Sequence, residues 1–324
     1  MLSALWLLAG FVLVIAGGWL AVRAAANLGT GLGWSEAFVG ATVVAFGTSA
    51  PEFVVSLIAA LRGSEGVALG NVVGSNITNV ALVLGMAAVI SPVIVDRGIF
   101  RRDLPVLIGA TIGLAVVVAN GGIGRIEGAV LFAALVGFVV IAHRTQQIPG
   151  EQVPAEAEAI ERIEERLPPD PAYSTPVEAL LTVVGIAVLA AGAQLFVTGA
   201  SDLARQAGLS EFAIGATLVA TGTSLPELVT SAVAAYRGLS AIAVANVIGS
   251  NIFNALGVLG LAAFARPIAV DRDLFRFELP MLAVSSALLI PLIARRFRIG
   301  RTEGALMVAG YIAFTVLTLQ RGAT

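Results

Sequence analysis

The chain has no cysteine, no lysine and a single histidine, and only 12% of its 324 residues are charged. The missing cysteine removes disulfides, thiolate metal sites and thiol redox chemistry. The one histidine, His143, stands beside Arg144 at the end of an apolar run, where an interfacial residue is expected rather than a ligand. Soluble domains carry about a quarter charged residues, so the shortage of charge beside 58% hydrophobic content excludes that class. A net charge of −2 without a basic block gives no reason to expect a nucleic-acid partner. No cofactor and no obligatory protein partner is expected; the partner that this composition demands is a lipid bilayer.

Apolar stretches of about 17–25 residues can span the hydrocarbon core. Ten are present, near 3–22, 37–61, 66–90, 104–120, 126–142, 177–199, 212–236, 241–264, 279–294 and 302–319. The first lacks the basic start of a signal peptide. Its Gly17-x-x-Leu20-x-Val22 recurs as Gly192-x-x-Leu195-x-Val197, so it is expected to be part of the mature membrane domain. The one long polar connection, 143–176, carries seven acids and a Pro168-Pro169-Asp170-Pro171 run, the mark of an exposed linker. A short surface helix is expected over Ala155–Leu167. The expected organisation is a first five-helix half (1–142), an acidic linker (143–176) and a second half (177–324).

The halves repeat one another. Gly40–Gly85 aligns without gaps to Gly215–Gly260, an offset of 175, with 27 of 46 positions identical. Further along, Asp96, Arg101 and Leu104-Pro105 match Asp271, Arg276 and Leu279-Pro280. Gly124-Arg125 and Glu127-Gly128 return as Gly300-Arg301 and Glu303-Gly304, now offset by 176. Five spans per half is an odd number, so the second half enters from the opposite face. The expected fold is an all-α integral membrane protein with ten transmembrane helices in two inverted-topology repeats, its binding site near the midplane. With both termini outside, twelve arginines fall on the inner side and seven on the outer. That bias places the 143–176 linker in the cytoplasm of a multi-pass protein of the cell (plasma or inner) membrane.

Nineteen of the twenty-one acids fall in connections or near span ends, and only Glu52 and Glu227 lie mid-span. An intramembrane acid is expensive and is by default a functional-site candidate. Each sits on a polar stripe spaced by three and four: Thr42, Ala45, Ser49, Glu52, Ser56, and Thr217, Ala220, Ser224, Glu227, Ser231. Pro51 and Pro226 cannot donate to the carbonyls of Gly47 and Gly222, so a helix break with freed carbonyls is expected beside each acid. The next spans add Asn71, Ser75, Asn79 and Asn246, Ser250, Asn254, with Gly74 and Gly249 expected to allow a second break. Together these are oxygen donors without nitrogen or sulfur ligands, a set suited to hard cations such as Ca²⁺ and Na⁺. Ser56, Ser231, Asn71 and Asn246 stay open between ligand and interhelical glue.

The paired motifs Gly47-Thr48-Ser49-Ala50-Pro51-Glu52 and Gly222-Thr223-Ser224-Leu225-Pro226-Glu227 are each followed by Gly-Ser-Asn-Ile-x-Asn (74–79 and 249–254). They resemble the Ca²⁺/cation antiporter superfamily, and its prokaryotic Na⁺/Ca²⁺ exchanger branch in particular. The resemblance covers the whole membrane part. It implies alternating access around a shared Na⁺/Ca²⁺ site, with ion ligands at Glu52, Thr48, Ser49 and the Ala45 carbonyl. The same positions in the second copy are Glu227, Thr223, Ser224 and the Ala220 carbonyl, joined by Ser75, Asn79, Ser250 and Asn254. Some relatives, K⁺-dependent exchangers among them, carry Asp at the position of Asn254; Asn at both 79 and 254 here argues against a K⁺ requirement. No large central loop is present, so the Ca²⁺-sensing regulation of animal exchangers is not expected.

Transport of Ca²⁺ against Na⁺ is therefore the expected function, with H⁺/Ca²⁺ antiport on the same glutamates as the alternative. The hydroxyls of Thr48-Ser49 and Thr223-Ser224 favour Na⁺, since a proton needs no such cage. An intramembrane enzyme, such as a lipid phosphatase, would want a cationic side chain facing the acids, and none of the arginines is mid-span.

Overall fold

The computed structural model describes residues 2–63, 65–119, 121–145, 173–206, 220–269 and 277–322. The helix expected over Ala155–Leu167 lies outside them. Twelve helical segments are used below: α1 Leu2–Leu32, α2 Glu36–Thr48, α3 Ala50–Leu61, α4 Glu65–Ile90, α5 Leu104–Ala119 and α6 Arg125–Thr145. They continue with α7 Thr175–Gln206, α8 Ala220–Thr223, α9 Leu225–Tyr236, α10 Ser240–Ala265, α11 Glu278–Ala294 and α12 Arg301–Gly322. The only strands among the described residues are two-residue pairs at the element ends. Among the described residues five helices are long and apolar enough to cross a membrane, and α2 with α3 passes the same test as a pair bent by 47°. The chain is an all-α, multi-pass membrane protein.

The first helix runs ten residues past its apolar stretch, to Leu32. The reason is its partner. α1 and α7 lie antiparallel along their whole length, and glycines set the distance between them. A Cβ at Gly10 would fall 2.3 Å from the Phe196 nitrogen, at Gly17 2.4 Å from that of Leu189, and at Gly192 2.6 Å from that of Val14. Backbone meets backbone here, and no side chain could yield to make room.

Contacts between the halves come in exchanged pairs. Asn76 Nδ2 donates to the Asn251 carbonyl at 3.2 Å, and Asn251 Nδ2 to the Asn76 carbonyl at 3.0 Å, clasping α4 to α10. Gly85 of α4 packs on Gly304 of α12, and Gly260 of α10 packs on Gly128 of α6. β1 (Val93–Ile94) pairs antiparallel with β4 (Arg298–Ile299), while β2 (Gly122–Ile123) pairs antiparallel with β3 (Ile268–Ala269). Every one of these contacts becomes its partner when 175 or 176 is added to one half and taken from the other.

Helix breaks occur where proline demands them and not where glycine merely permits them. Ser49 (φ −80°, ψ 5°) interrupts α2 and α3, and Ser224 (φ −86°, ψ 7°) interrupts α8 and α9. α4 and α10, however, run unbroken through Gly74 and Gly249, against expectation. At Gly249 a Cβ would lie 2.6 Å from the Ala41 carbonyl, so that glycine serves close approach. The irregularity comes later, as wide π turns over Asn79–Leu84 and Phe253–Val258.

Candidate cation site

Glu52 lies in the first turn of α3 and Glu227 in the first turn of α9, both wholly buried. Each break places a serine immediately before its helix. That serine serves the other half's acid: Ser49 Oγ donates to Glu227 Oε1 at 3.0 Å, and Ser224 Oγ to Glu52 Oε1 at 3.4 Å. The two carboxylates are thus held across one junction. Because proline has no N–H, Gly47 and Gly222 lose their usual i+4 donor, and the chain restarts as helix with Phe53 N to Ser49 O and Leu228 N to Ser224 O.

The second oxygens, Glu52 Oε2 and Glu227 Oε2, are buried without a hydrogen-bond partner. So are Ser75 Oγ, both side-chain polar atoms of Asn79, Asn251 Oδ1 and Asn254 Oδ1. Native interiors leave few such atoms, and each needs an explanation. Six of these seven atoms are oxygens, and two of them belong to the acids themselves. Ser75 faces the Glu52 carboxylate, as Thr48 and Ser250 face that of Glu227. Asn79 opens the first wide turn, and Asn254 lies one residue inside the second, donating through Nδ2 to Asn76 Oδ1 at 3.1 Å. π turns are frequent at functional sites because they widen the helix and re-aim its side chains.

Other expected residues are already engaged. The Ala45 carbonyl accepts from Ser49 N at 3.0 Å and Thr48 Oγ1 at 3.3 Å, so it is not among the unpartnered oxygens. Thr48 Oγ1 also approaches Asn246 Oδ1 at 3.3 Å and Ser250 Oγ at 3.5 Å. Thr223 and the backbone of Ala220 belong to the short α8, directly before the second break. Asn71 donates to Ser56 Oγ at 2.9 Å and to the Glu52 carbonyl at 3.3 Å, while Asn246 donates to Ser231 Oγ at 2.9 Å. These four act as interhelical glue that fixes the turns bearing the acids.

Two features escaped the sequence reading. Asn76 and Asn251 stand inside the Gly-Ser-Asn-Ile-x-Asn motif, yet nothing in the spacing tells which asparagine faces the acids and which clasps the opposite helix. Tyr311 of α12 touches Thr78 Oγ1 at 3.3 Å and Thr221 Oγ1 at 3.1 Å, linking α4 to α8. A lone tyrosine in an apolar span gave no signal.

Among the described residues no three His, Cys, Asp or Glu side chains gather as a metal site. The donor set is two carboxylates with hydroxyl and amide oxygens, which hard cations prefer and soft transition metals do not.

Comparison with known proteins agrees with this geometry. A family model described as "sodium/calcium exchanger protein" matches residues 2–143 and 177–320. The chain is 35% identical over 321 residues to the putative antiporter CaxA of Alkalimonas amylolytica, covering 98% of each. It is also 35% identical over 342 residues to the sodium/calcium exchanger MaX1 of Methanosarcina acetivorans, covering 96% of this chain and 97% of that one. The solved structure of the sodium-calcium exchanger NCX_Mj superposes with a TM-score of 0.81 at 32% identity, over 96% of this chain and 97% of that one. The relatives are transporters and not enzymes, and this chain belongs to the sodium/calcium exchanger family.

Proposed function

We propose that the chain is a secondary antiporter exchanging Ca²⁺ for Na⁺ by alternating access around Glu52 and Glu227. The observation that carries this reading is the reciprocal Ser49–Glu227 and Ser224–Glu52 pairing, which leaves one oxygen of each acid unpartnered in a fully buried setting. Two carboxylates neutralise one divalent ion or share several monovalent ones. Glu52, Glu227, Ser49, Ser224, Thr48, Thr223, Ser75, Ser250, Asn79 and Asn254, with the carbonyls of Ala45 and Ala220, are the proposed ion-coordinating set. The Ala45 carbonyl has to give up its contact with Thr48 Oγ1 to join it.

Coupling follows from electrostatics. An empty site with two uncompensated carboxylates is costly to carry through the low-dielectric interior, so the unloaded conformer does not reorient readily. One ion set must replace the other before the site changes sides, and the differential affinity of the two faces for each ion sets the direction of flux. The relatives named for sodium/calcium exchange, and the NCX_Mj structures obtained after soaking with Na⁺, Ca²⁺ or Sr²⁺, support these ions as cargo.

The architecture belonging to this reading is ten spans in two inverted repeats, 1–142 and 177–324, joined by the cytoplasmic 143–176 linker, with both termini outside the cell membrane. The exchanged contacts between halves support it, since each is what a two-fold axis in the membrane plane produces. Protons could in principle drive the same glutamates; the hydroxyls beside them favour sodium. Ca²⁺ uptake into everted membrane vesicles separates the two. Uptake is expected under an imposed Na⁺ gradient with pH held equal on both sides, and uptake that answers only to a pH gradient reassigns the protein as an H⁺/Ca²⁺ antiporter.

A further inference from the structure

The junction between a broken helix of one half and the long motif helix of the other occurs twice, α8 with α4 and α2 with α10. The two copies are built from different chemistry. At the first, Tyr311 of α12 reaches in: its hydroxyl lies 3.1 Å from Thr221 Oγ1 and 3.3 Å from Thr78 Oγ1. Thr78 Oγ1 also donates to the Gly74 carbonyl at 2.9 Å, which ties that hydroxyl to its own helix. At the second junction the counterparts of Thr221, Thr78 and Tyr311 are Phe46, Phe253 and Leu135. There Phe46 and Phe253 meet with ring centroids 5.7 Å apart, and Leu135 borders Gly257 beside Phe253. Three hydroxyls on one side stand where three apolar side chains stand on the other.

What these hydroxyls touch gives them a use. Thr78 is the residue immediately before the wide turn that opens at Asn79. Thr221 stands in α8, three residues before Ser224, whose hydroxyl donates to Glu52. Tyr311 therefore joins the start of one ligand-bearing segment to the start of another, and the two belong to opposite halves. Its ring borders an apolar cavity of about 290 Å³ walled by Ile77, Val80, Met281, Leu306 and Phe314. In such surroundings a hydrogen bond is electrostatically stronger than in water. A wide turn is also a departure from regular helix, so a contact at its first residue helps to fix where it begins.

We propose that Tyr311 is a positioning residue for ion binding: by bracing Thr78 and Thr221 it sets the spacing between Asn79 of the first half and Thr223 and Ser224 of the second. This rests on the exchanger reading given above, in which those residues coordinate the ion. An ion held between two elements gains from every ligand only when all stand at bonding distance together, so the groups that orient ligands weigh on affinity as the ligands do. Phe46, Phe253 and Leu135 carry no hydroxyl, so the equivalent junction relies on apolar contact alone and the brace serves one side of the site.

The test is ⁴⁵Ca²⁺ self-exchange in membrane vesicles, which needs neither Na⁺ nor a pH gradient and so stands apart from the identity of the counter-ion. Tyr311→Phe and Thr221→Val each remove one hydroxyl and keep the shape of the side chain. Each is expected to raise the half-saturating Ca²⁺ concentration by about three- to tenfold, the worth of a hydrogen bond, with the maximal rate per inserted protein unchanged. The double variant should lose no more than the larger single loss, because both substitutions take away the same contact. Thr221→Ser keeps the hydroxyl and should stay near wild type; a role in packing alone predicts the reverse, with Val and Phe tolerated and Ser not. Unchanged half-saturation in either hydroxyl-free variant, a fall in maximal rate without a shift in half-saturation, or losses that multiply in the double variant overturns the proposal. Absence of self-exchange by the wild-type chain would instead strike the exchanger reading.

Discussion

At the residue scale, what distinguishes the two glutamates from every other acid is depth. A carboxylate in the middle of an apolar span has no ordinary structural use, so Glu52 and Glu227 were visible in the sequence before any geometry. Replacing either by glutamine keeps volume and hydrogen bonding but leaves a divalent ion half neutralised. At an effective dielectric near 20 and about 4 Å, one lost charge amounts to about 4 kcal/mol for each unit of charge on the ion, so the loss for a divalent ion exceeds roughly a thousandfold in affinity. Glu52→Gln and Glu227→Gln should each abolish Ca²⁺ exchange while the protein inserts in normal amount; near-normal uptake by either variant would remove the paired-acid site. Asn79 and Asn254 carry a second expectation. With no third carboxylate in the ligand set, exchange should run at the same rate when K⁺ is replaced by choline on both sides of the vesicle, and a requirement for K⁺ would contradict the reading of those asparagines. The serines that bridge to the opposite acid were named from the motif, but their crossing was not legible. A gapless repeat says that two positions are equivalent, not whether each serves its own half or the other.

At the element scale, glycine and proline gave unequal guidance. Proline removes a donor and constrains its own φ, so the breaks before Pro51 and Pro226 could be read from the chain. Glycine only widens the options. Gly249 was expected to break α10, and instead it lets the backbone of α2 approach to a distance that no side chain permits. The glycines facing across α1 and α7 do the same over about four turns, and their role appears only when the partner helix is known. An alanine at Gly17 would place its Cβ 2.4 Å from the Leu189 nitrogen, where neither backbone can give way. Overpacking of this kind costs about 1–3 kcal/mol or more. Gly17→Leu should therefore lower the midpoint of thermal unfolding in detergent by several degrees, while Leu8→Ala, on the exposed face of the same helix, should shift it little. Equal midpoints for the two variants would mean that α1 and α7 do not depend on this contact.

At the scale of the whole molecule, the proposed count of five spans per half is the quantity on which orientation, repeat geometry and mechanism all depend. In the proposed architecture an odd number turns the second copy upside down, which agrees with equivalent strands trading partners at opposite ends. β1 pairs with β4 and β2 with β3; a parallel repeat would not generate this exchange at two separate ends. On the proposed count, the two termini are expected on one face and the 143–176 linker on the other. The arginine bias, twelve to seven, favours a cytoplasmic linker in this proposal, since cytoplasmic loops retain positive charge during insertion. Because the chain has no cysteine, single replacements report their own side without a background. Leu2→Cys in intact cells should react with an impermeant maleimide, whereas Glu158→Cys in the linker should react only after the membrane is opened or everted. Labelling of both from the same side would require an even number of spans in the first half, and with it the loss of the inverted relation on which the shared two-glutamate site depends.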